Sequence, residues 1–106
     1  MSEDLQFEVS TPLGFAVHCT RVYWQFIVSE KHPVLAGRDA EVRATLSDPD
    51  EIRRSRRDPH VFLFYRGKEP RWLCAVVRRG DGAGFLVTAY PTDAVKAGER
   101  IWTRSK

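Results

Sequence analysis

Hydrophobic and polar residues alternate along several short stretches of the chain, and this two-residue period predicts β-strands. Residues 5–10 alternate, the TPLG sequence at 11–14 supplies turn residues, and GFAVHC is extended again, which predicts an N-terminal β-hairpin. The GDGAG sequence at 80–84 predicts a further hairpin turn. Four more strands are predicted: from Ile52 onward, from Val61 to Arg66, from Trp72 to Arg79, and over FLVTAY before Pro91.

Between the hairpin and these strands, apolar residues recur at three- and four-residue spacing, which predicts two helices. The first is capped by Thr20 and ends near Lys31. Pro33 cannot continue this helix and disfavours helical geometry at His32, so it separates the two helices; the second ends at the SDPD sequence. The apolar faces consist of Val22, Tyr23, Phe26 and Ile27 in the first helix and of Leu35, Val42 and Leu46 in the second.

The order of these elements predicts an α+β fold, in which an N-terminal β-hairpin and two helices pack on a four-stranded antiparallel sheet. The 106 residues, 42% of them hydrophobic, suffice for a single domain with one core. After Pro91 the tail is predicted to be a short helical turn or a loop, with Ile101 and Trp102 closing the core. The helices cover one face of the sheet, which leaves the other face to water or a ligand.

Positive charge is concentrated in the predicted sheet. Residues 51–79 hold nine basic and three acidic residues, a net charge of +6, whereas residues 1–50 carry −4 and residues 80–106 carry +1. A sheet with this much local positive charge resembles a surface for a polyanion. The alternative is that the arginines keep an antiparallel sheet soluble and guard its edges.

The two cysteines and the N-terminus indicate the cytoplasm. Cys19 and Cys74 lie far apart in predicted strands without metal-ligand spacing, which favours buried, reduced thiols over a disulfide. The sequence MSEDLQFEV lacks the basic and apolar regions of a signal peptide, and no apolar run approaches the roughly 20 residues of a membrane span. We therefore expect a cytoplasmic protein that does not enter the membrane.

His32, Thr88 and Tyr90 are the residues best placed for chemistry. His32 ends the first helix, where the macrodipole favours the imidazolium and allows proton exchange, although a histidine at this position is also a common capping residue. Thr88 and Tyr90 lie two residues apart in one strand and share a face, where they form either ordinary sheet surface or a site for a phosphate oxygen. The chain has no phosphate-binding loop that opens a helix, and no GxSxG or HExxH motif.

Three segments together resemble the phage-associated branch of the barnase, EndoU, colicin D and RelE-like ribonuclease superfamily. They are YWQFIVSEKHPVLAGR, VRATLSDPDEIRRSRRDPHVFLFY and GFLVTAYPTDAVKAGERIW, and the resemblance covers about residues 7–102. The matching residues are Tyr23 and Trp24; Lys31, His32 and Pro33; Asp48 and Pro49; Arg54, Ser55 and Arg56; Thr88, Ala89 and Tyr90; and Lys96, Gly98 and Trp102. The resemblance implies helices followed by a four-stranded antiparallel sheet, and RNA cleavage that requires no metal or other cofactor.

The resemblance also implies a site made from a histidine of the helical part with a threonine and arginines of the sheet. The predicted catalytic residues are His32, Arg54, Arg56 and Thr88, and the predicted substrate-binding residues are Lys31, Tyr65, Tyr90 and Lys96. In this hypothesis a 2′-hydroxyl attacks the adjacent phosphate and leaves a 2′,3′-cyclic phosphate, while Tyr65 stacks on an unpaired base. Alternation places Arg54 and Arg56 on the same face as Ile52, and that face could equally pack toward the core.

The expected substrate is tRNA or another structured RNA, and an antitoxin or immunity protein is a candidate partner. The alternative function is a non-catalytic RNA- or protein-binding module with the same fold. A third hypothesis, in which the acidic N-terminal half binds a basic partner, rests only on the charge of −4 over residues 1–50. The sequence does not determine the oligomeric state.

Overall fold

Seven strands form one sheet in the computed structural model, which describes residues 4–95 and 97–104. The strands are β1 (Leu5–Ser10), β2 (Ala16–Thr20), β3 (Glu51–Arg54), β4 (Val61–Lys68), β5 (Arg71–Arg79), β6 (Gly84–Thr92) and β7 (Glu99–Thr103). Helix α1 (Arg21–Phe26) continues into a π-helical turn (Ile27–Lys31), and a 3₁₀ turn (Pro33–Leu35) precedes helix α2 (Asp39–Ser47). The α+β class that the sequence predicts is confirmed.

The sheet has the strand order β1-β2-β6-β5-β4-β3-β7. Neighbouring strands are antiparallel except β2 and β6, which run parallel and pair at Val17 with Gly84 and at His18 with Phe85. The prediction of a four-stranded sheet is therefore wrong. The four predicted strands, β3 to β6, lie side by side in the middle, while the N-terminal hairpin extends the sheet at one edge and β7 extends it at the other.

The helices form largely where the apolar spacing predicts, but the predicted apolar face of the first helix is wrong in part: Val22 and Phe26 are exposed, whereas Trp24 and Ile27 are buried. Thr20 caps α1 because its side-chain oxygen accepts a hydrogen bond from Tyr23 N at 3.1 Å. The predicted second helix is shorter than expected: Pro33 opens the 3₁₀ turn instead, and α2 begins only at Asp39, after Gly37 takes a φ of +76° that a helix does not allow. The predicted apolar face of this region, made by Leu35, Val42 and Leu46, is fully buried. No helix in the described part of the chain is long and apolar enough to cross a membrane.

Side-chain alternation divides the apolar residues between the two faces of the sheet. The face under the helices, hereafter the helical face, carries the main core, which includes Cys19 and Phe64. The opposite face, hereafter the second face, carries a smaller buried cluster made by Leu63, Tyr65 and Cys74. Both cysteines are free and buried, as predicted, and they lie in different clusters.

The segment between β6 and β7 crosses the second face, because these two strands lie on opposite sides of β5, β4 and β3. Val95 packs against the small cluster of the second face. Gly98, with a φ of +84°, lies so close to the sheet that an added Cβ would stand 2.6 Å from the Arg54 carbonyl oxygen and 3.2 Å from Leu63 Cδ1. The Arg53 guanidinium donates to the Gly98 carbonyl at 3.4 Å, which helps to hold the crossing segment.

The tail that follows is a strand, so the prediction of a helical turn or loop at this position is wrong for residues Glu99–Thr103. β7 pairs with β3, and a register irregularity between Ile52 and Arg53 interrupts the simple alternation along this pair. Ile101 and Trp102 pack against the main core, as predicted. Edge pairing with β3 therefore provides the backbone partners of the tail.

Candidate active site

The edge of β6 is the place where the helical part of the chain meets the sheet residues of interest. β2 pairs with β6 only at Gly84 and Phe85, so β6 beyond these residues has no strand on that side within the described part of the chain. The end of the helical segment occupies this edge instead. Tyr23 donates its hydroxyl hydrogen to the Val87 carbonyl at 2.6 Å, and Lys31 Nζ donates to the same oxygen at 3.5 Å.

His32 follows directly after the π-helical turn and contacts β6. Its backbone N–H donates to the Ile27 carbonyl at 2.8 Å, which fixes the residue at the end of the helical segment. The imidazole ring lies on Tyr90, with 5.7 Å between the ring centroids and an angle of 41° between the planes. The structure thus brings together two residues that are 58 positions apart in the sequence.

Thr88 lies beside this contact on the same face of β6. Tyr90 pairs with Cys74 of β5 and Thr88 pairs with Val76, so both side chains belong to the second face. Thr88 Oγ1 is buried and has no hydrogen-bond partner in the described part of the chain. A buried hydroxyl without a hydrogen-bond partner destabilises the folded state by about 1–3 kcal/mol. An oxygen atom of a bound ligand that accepts a hydrogen bond from this hydroxyl would remove the penalty. A ligand reaches this atom only if a neighbouring side chain moves, because Oγ1 is shielded from solvent.

Lys31, His32, Thr88 and Tyr90 therefore lie along the same stretch of the β6 edge, hereafter the His32 cluster: His32 contacts Tyr90, Lys31 Nζ bonds to the Val87 carbonyl, and Thr88 lies between these two strand positions. The group combines an imidazole, an ammonium, a hydroxyl and an aromatic ring. These functional groups can exchange a proton, neutralise an anion, bind an oxygen atom and support the imidazole, respectively.

Tyr65 and Tyr90 pair with Cys74 from the strands on either side, and hydrogen bonding by their hydroxyls favours the thiolate form of Cys74. Burial raises the pKa of the Cys74 thiol to about 11, although these two hydrogen bonds lower it. The pKa of each tyrosine hydroxyl is raised as well, chiefly by burial and then by the charge of Cys74. All three groups stay protonated at neutral pH, so Tyr90 supports His32 through its ring and does not act as a base.

The two buried thiols are expected to make the protein less stable as the pH rises above 9.0. Burial raises the pKa of Cys19 from 9.0 to about 12 and the pKa of Cys74 from 9.0 to about 11. The folded state retains these protons where the unfolded state releases them, so the stabilisation is complete below pH 9.0 and is lost as the pH rises through each folded pKa. Between pH 9.0 and its pKa in the folded state, each thiol lowers the free energy of unfolding by about 1.4 kcal/mol per pH unit.

Urea unfolding measured below and above pH 9.0 checks this expectation. The variant with both Cys19→Ala and Cys74→Ala is the matched control, and its stability should depend less on pH in this range. An equally steep loss of stability in the native protein and the variant would contradict the assignment to the thiols.

Tyr65 is buried and is therefore not in a position to stack on a base. Only 2% of its surface is exposed, and it packs in the small cluster of the second face, where Val95 of the crossing segment also packs. Its ring therefore offers no open face to a base in this conformation. Its hydroxyl instead supports the Cys74 thiol beneath Tyr90.

The structure does not bring Arg54 and Arg56 to the His32 cluster. Arg54 pairs with Phe62, whose ring belongs to the main core, so Arg54 lies on the helical face and not on the face of Thr88. Strand β3 ends at Arg54. Arg56 lies in the turn that follows, where Ser55 Oγ accepts hydrogen bonds from the backbone N–H groups of residues 57 and 58.

Arg53 and Lys31 are two further candidates for the positive charge of the site. Arg53 lies next to Tyr65, but its guanidinium is bound to Glu51 at 2.6 Å and to the Gly98 carbonyl. Lys31 is exposed, and its Nζ lies within 3.5 Å of the backbone of β6, so it is the cation of the His32 cluster. Lys96 lies outside the described residues.

Tyr23 and Cys74 are site residues that the sequence does not single out. In the sequence Tyr23 belongs to an apolar stripe and to the residues that carry the resemblance, but neither assigns it a site role; its hydrogen bond spans 64 positions of the chain. Cys74 reads as one more buried strand residue. Nothing in the local sequence indicates either contact, because both depend on which strands and helices become neighbours.

Comparisons with known proteins identify no relative. No protein-family model matches the chain. No curated protein and no solved structure matches it either. The resemblance to the ribonuclease superfamily therefore stays a prediction that rests on the residues quoted above.

A cleft of about 830 Å³ lies away from the His32 cluster, between α2 and the end of the sheet where β4 turns into β5. Arg38 and Glu41 line it from α2, and Arg66, Arg71 and Trp72 line it from the strands. None of the predicted site residues within the described part of the chain contributes to it. In the same part of the chain, no three His, Cys, Asp or Glu side chains are grouped closely enough to hold a metal ion.

Proposed function

We propose that this protein is a metal-independent endoribonuclease of the toxin-like kind. The observation that carries the proposal is the His32 cluster: the His32 imidazole contacts the Tyr90 ring at the edge of β6, with Thr88 on the same face of this strand and Lys31 bound to its backbone. His32 and Thr88 are also the residues to which the resemblance assigns catalytic roles. They come from distant parts of the chain, and the contact of His32 with Tyr90, two residues from Thr88 on β6, supports the proposal.

In the proposed reaction the 2′-hydroxyl of RNA attacks the adjacent phosphorus atom. The new bond joins O2′ to phosphorus, and the bond between phosphorus and O5′ breaks, which leaves a 2′,3′-cyclic phosphate and a 5′-hydroxyl. A neutral His32 accepts the proton of the 2′-hydroxyl, and the resulting imidazolium can donate it to the departing O5′. No further proton donor is needed to balance the reaction.

Lys31 and Thr88 act on the phosphate in this proposal. The Lys31 ammonium neutralises the charge that develops on the phosphorane oxygens, and the Thr88 hydroxyl binds and orients one of them. This gives Lys31 the role that the sequence assigns to Arg54 and Arg56, because those arginines lie away from Thr88. Tyr90 holds the imidazole through its ring while its hydroxyl remains bound to Cys74.

The proposed substrate is tRNA or another structured RNA of the cytoplasm, and an antitoxin or immunity protein is the proposed class of partner. The decisive test is incubation of the purified protein with tRNA and with end-labelled RNA oligonucleotides in EDTA. We expect products that end in a 2′,3′-cyclic phosphate, and no cleavage where a 2′-deoxy nucleotide replaces the ribonucleotide at the cleaved position. Cleavage of the 2′-deoxy substrate would exclude the proposed attack.

The second candidate function is a non-catalytic RNA- or protein-binding module. The position of Arg54 favours it, because the predicted charge stabiliser lies on the opposite face of the sheet from Thr88. Such a module would bind its polyanion with a steep dependence on salt and would release no product at any pH. The cleavage assay therefore separates the two functions.

A further inference from the structure

Two arginines stack on two neighbouring phenylalanines on the helical face of the sheet. The rings of Phe15 and Phe62 are 5.7 Å apart. The Arg79 guanidinium lies 4.6 Å from the centre of the Phe15 ring, and the Arg54 guanidinium lies 5.6 Å from the centre of the Phe62 ring. These four residues, hereafter the arginine platform, come from β3, β4, β5 and the turn before β2.

Stacking on the rings leaves both guanidinium groups ready to bind an anion. Phe15 and Phe62 are only 4% and 6% exposed, whereas Arg54 and Arg79 are exposed, so the charged groups form the outer surface. A guanidinium that lies on an aromatic ring is held in place, while its N–H groups remain available at the edges. The side chains therefore lose less conformational entropy when they bind a phosphate.

The charge of the arginine platform is not compensated by ion pairs. Five other arginines pair with carboxylates, namely Arg38, Arg53, Arg66, Arg78 and Arg104. Arg54 and Arg79 form no ion pair in the described part of the chain, and neither do Arg56 and Arg57 in the adjoining turn. Glu99 is the partner of Arg54 across the ladder of β3 and β7, yet the two side chains do not pair.

We propose that the arginine platform binds the phosphate backbone of RNA at a site separate from the His32 cluster. A guanidinium binds a phosphate group in a bidentate arrangement, and several arginines side by side suit the repeated phosphates of an RNA backbone. The phenylalanine rings are covered and cannot stack on bases, so the platform contacts the backbone and does not read the sequence.

This inference rests on the proposed function for the identity of the polyanion, and it requires a minimum length of the bound RNA. The arginine platform lies on the helical face, whereas Thr88 and Tyr90 lie on the second face. An RNA that contacts both sites must pass around the sheet. Extended or structured RNA can do so, and a dinucleotide cannot.

The test is the affinity of fluorescein-labelled 2′-O-methyl RNA, which lacks the attacking hydroxyl and cannot be cleaved, measured by anisotropy over a series of salt concentrations. We expect the variant with both Arg54→Gln and Arg79→Gln to bind roughly tenfold more weakly at low salt, with the slope of log K against log salt reduced by about 1.4. The matched control carries Arg21→Gln and Arg43→Gln, which remove the same charge from exposed helical positions. The control should change the affinity by less than about twofold.

Equal affinities of the two double variants for RNA would overturn the proposal, provided that circular dichroism shows both to be folded. Polyglutamate serves as the second probe. If the variant of the arginine platform loses affinity for polyglutamate while its affinity for RNA matches the control, the surface binds acidic protein and the proposal is wrong.

The two proposals fail separately in these measurements. Native protein that binds 2′-O-methyl RNA through the arginine platform but does not cleave unmodified RNA would refute the proposed reaction. RNA binding by the arginine platform would still be supported. Native protein that cleaves RNA, together with a platform variant that binds like the control, would refute the platform alone.

Discussion

His32→Ala is expected to reduce the rate of RNA cleavage by a factor of about 10² to 10⁴, which is the usual contribution of a general acid or base. The imidazole is the group in the His32 cluster with both a nitrogen that accepts a proton and a nitrogen that donates one, whereas burial raises the pKa of the Tyr90 hydroxyl. Loss of the imidazole leaves the charge of Lys31 and the Thr88 hydroxyl in place. Residual cleavage should therefore persist at a low rate.

The measurement is the rate of cyclic phosphate formation from tRNA under single-turnover conditions. His60→Ala is the matched control, because His60 is exposed in the turn between β3 and β4, away from the His32 cluster. It should cleave at the native rate. A His32→Ala protein that is folded and cleaves as fast as His60→Ala would remove His32 from the mechanism.

Phe64→Ala is expected to lower the free energy of unfolding by about 3–5 kcal/mol, as the removal of a fully buried aromatic ring usually does. Phe64 has no exposed surface and belongs to the main core between the sheet and the helices. The substitution removes apolar contacts and leaves a cavity that the strands on either side cannot close. A domain of this size has a total stability of about 5–15 kcal/mol, so the loss is a large part of it.

Urea unfolding followed by tryptophan fluorescence measures this effect, since Trp24 is buried in the same core. Phe85→Ala is the control: the residue type is the same, but 42% of Phe85 is exposed, and the expected loss is below about 1 kcal/mol. Similar losses in the two variants would contradict the burial of Phe64 and, with it, the helical cover of the sheet.

Several elements can be predicted from the sequence because their causes are local. The N-terminal hairpin follows from alternation on either side of the turn, where Thr11 N bonds to the Phe15 carbonyl and Gly14 takes a φ of +86°. The start of α1 follows from the short reach of the Thr20 side chain to Tyr23 N. The buried face of the second helical region follows from the spacing of its leucines and valine, although Gly37 shortens the helix.

The extent of the sheet could not be predicted in this way. β2 pairs with β6 at two positions, and the two residues of each pair are 67 positions apart in the sequence. No local pattern selects one strand as the neighbour of another. The sequence does not predict β7, because Ile101 and Trp102 are adjacent and do not alternate, and because a register irregularity lies opposite them in β3. Pairing of β7 with the edge of β3 depends on a connection that crosses the second face.

Sequence pattern alone predicts the α+β class, the hairpin, the capped first helix, the apolar face of the second helical region, the burial of both cysteines and the concentration of arginines between residues 51 and 79. It does not predict which face of α1 is buried, because Trp24 replaces Val22 and Phe26 there. Only the folded chain shows which side chains become neighbours: His32 contacts Tyr90, two residues from Thr88, and Arg54 lies over Phe62 on the opposite face. The physical reason is that period and turn chemistry act over a few residues, whereas strand pairing depends on the whole core. Charge alone does not place an arginine, because its apolar stem covers an aromatic ring as readily as its guanidinium binds an anion.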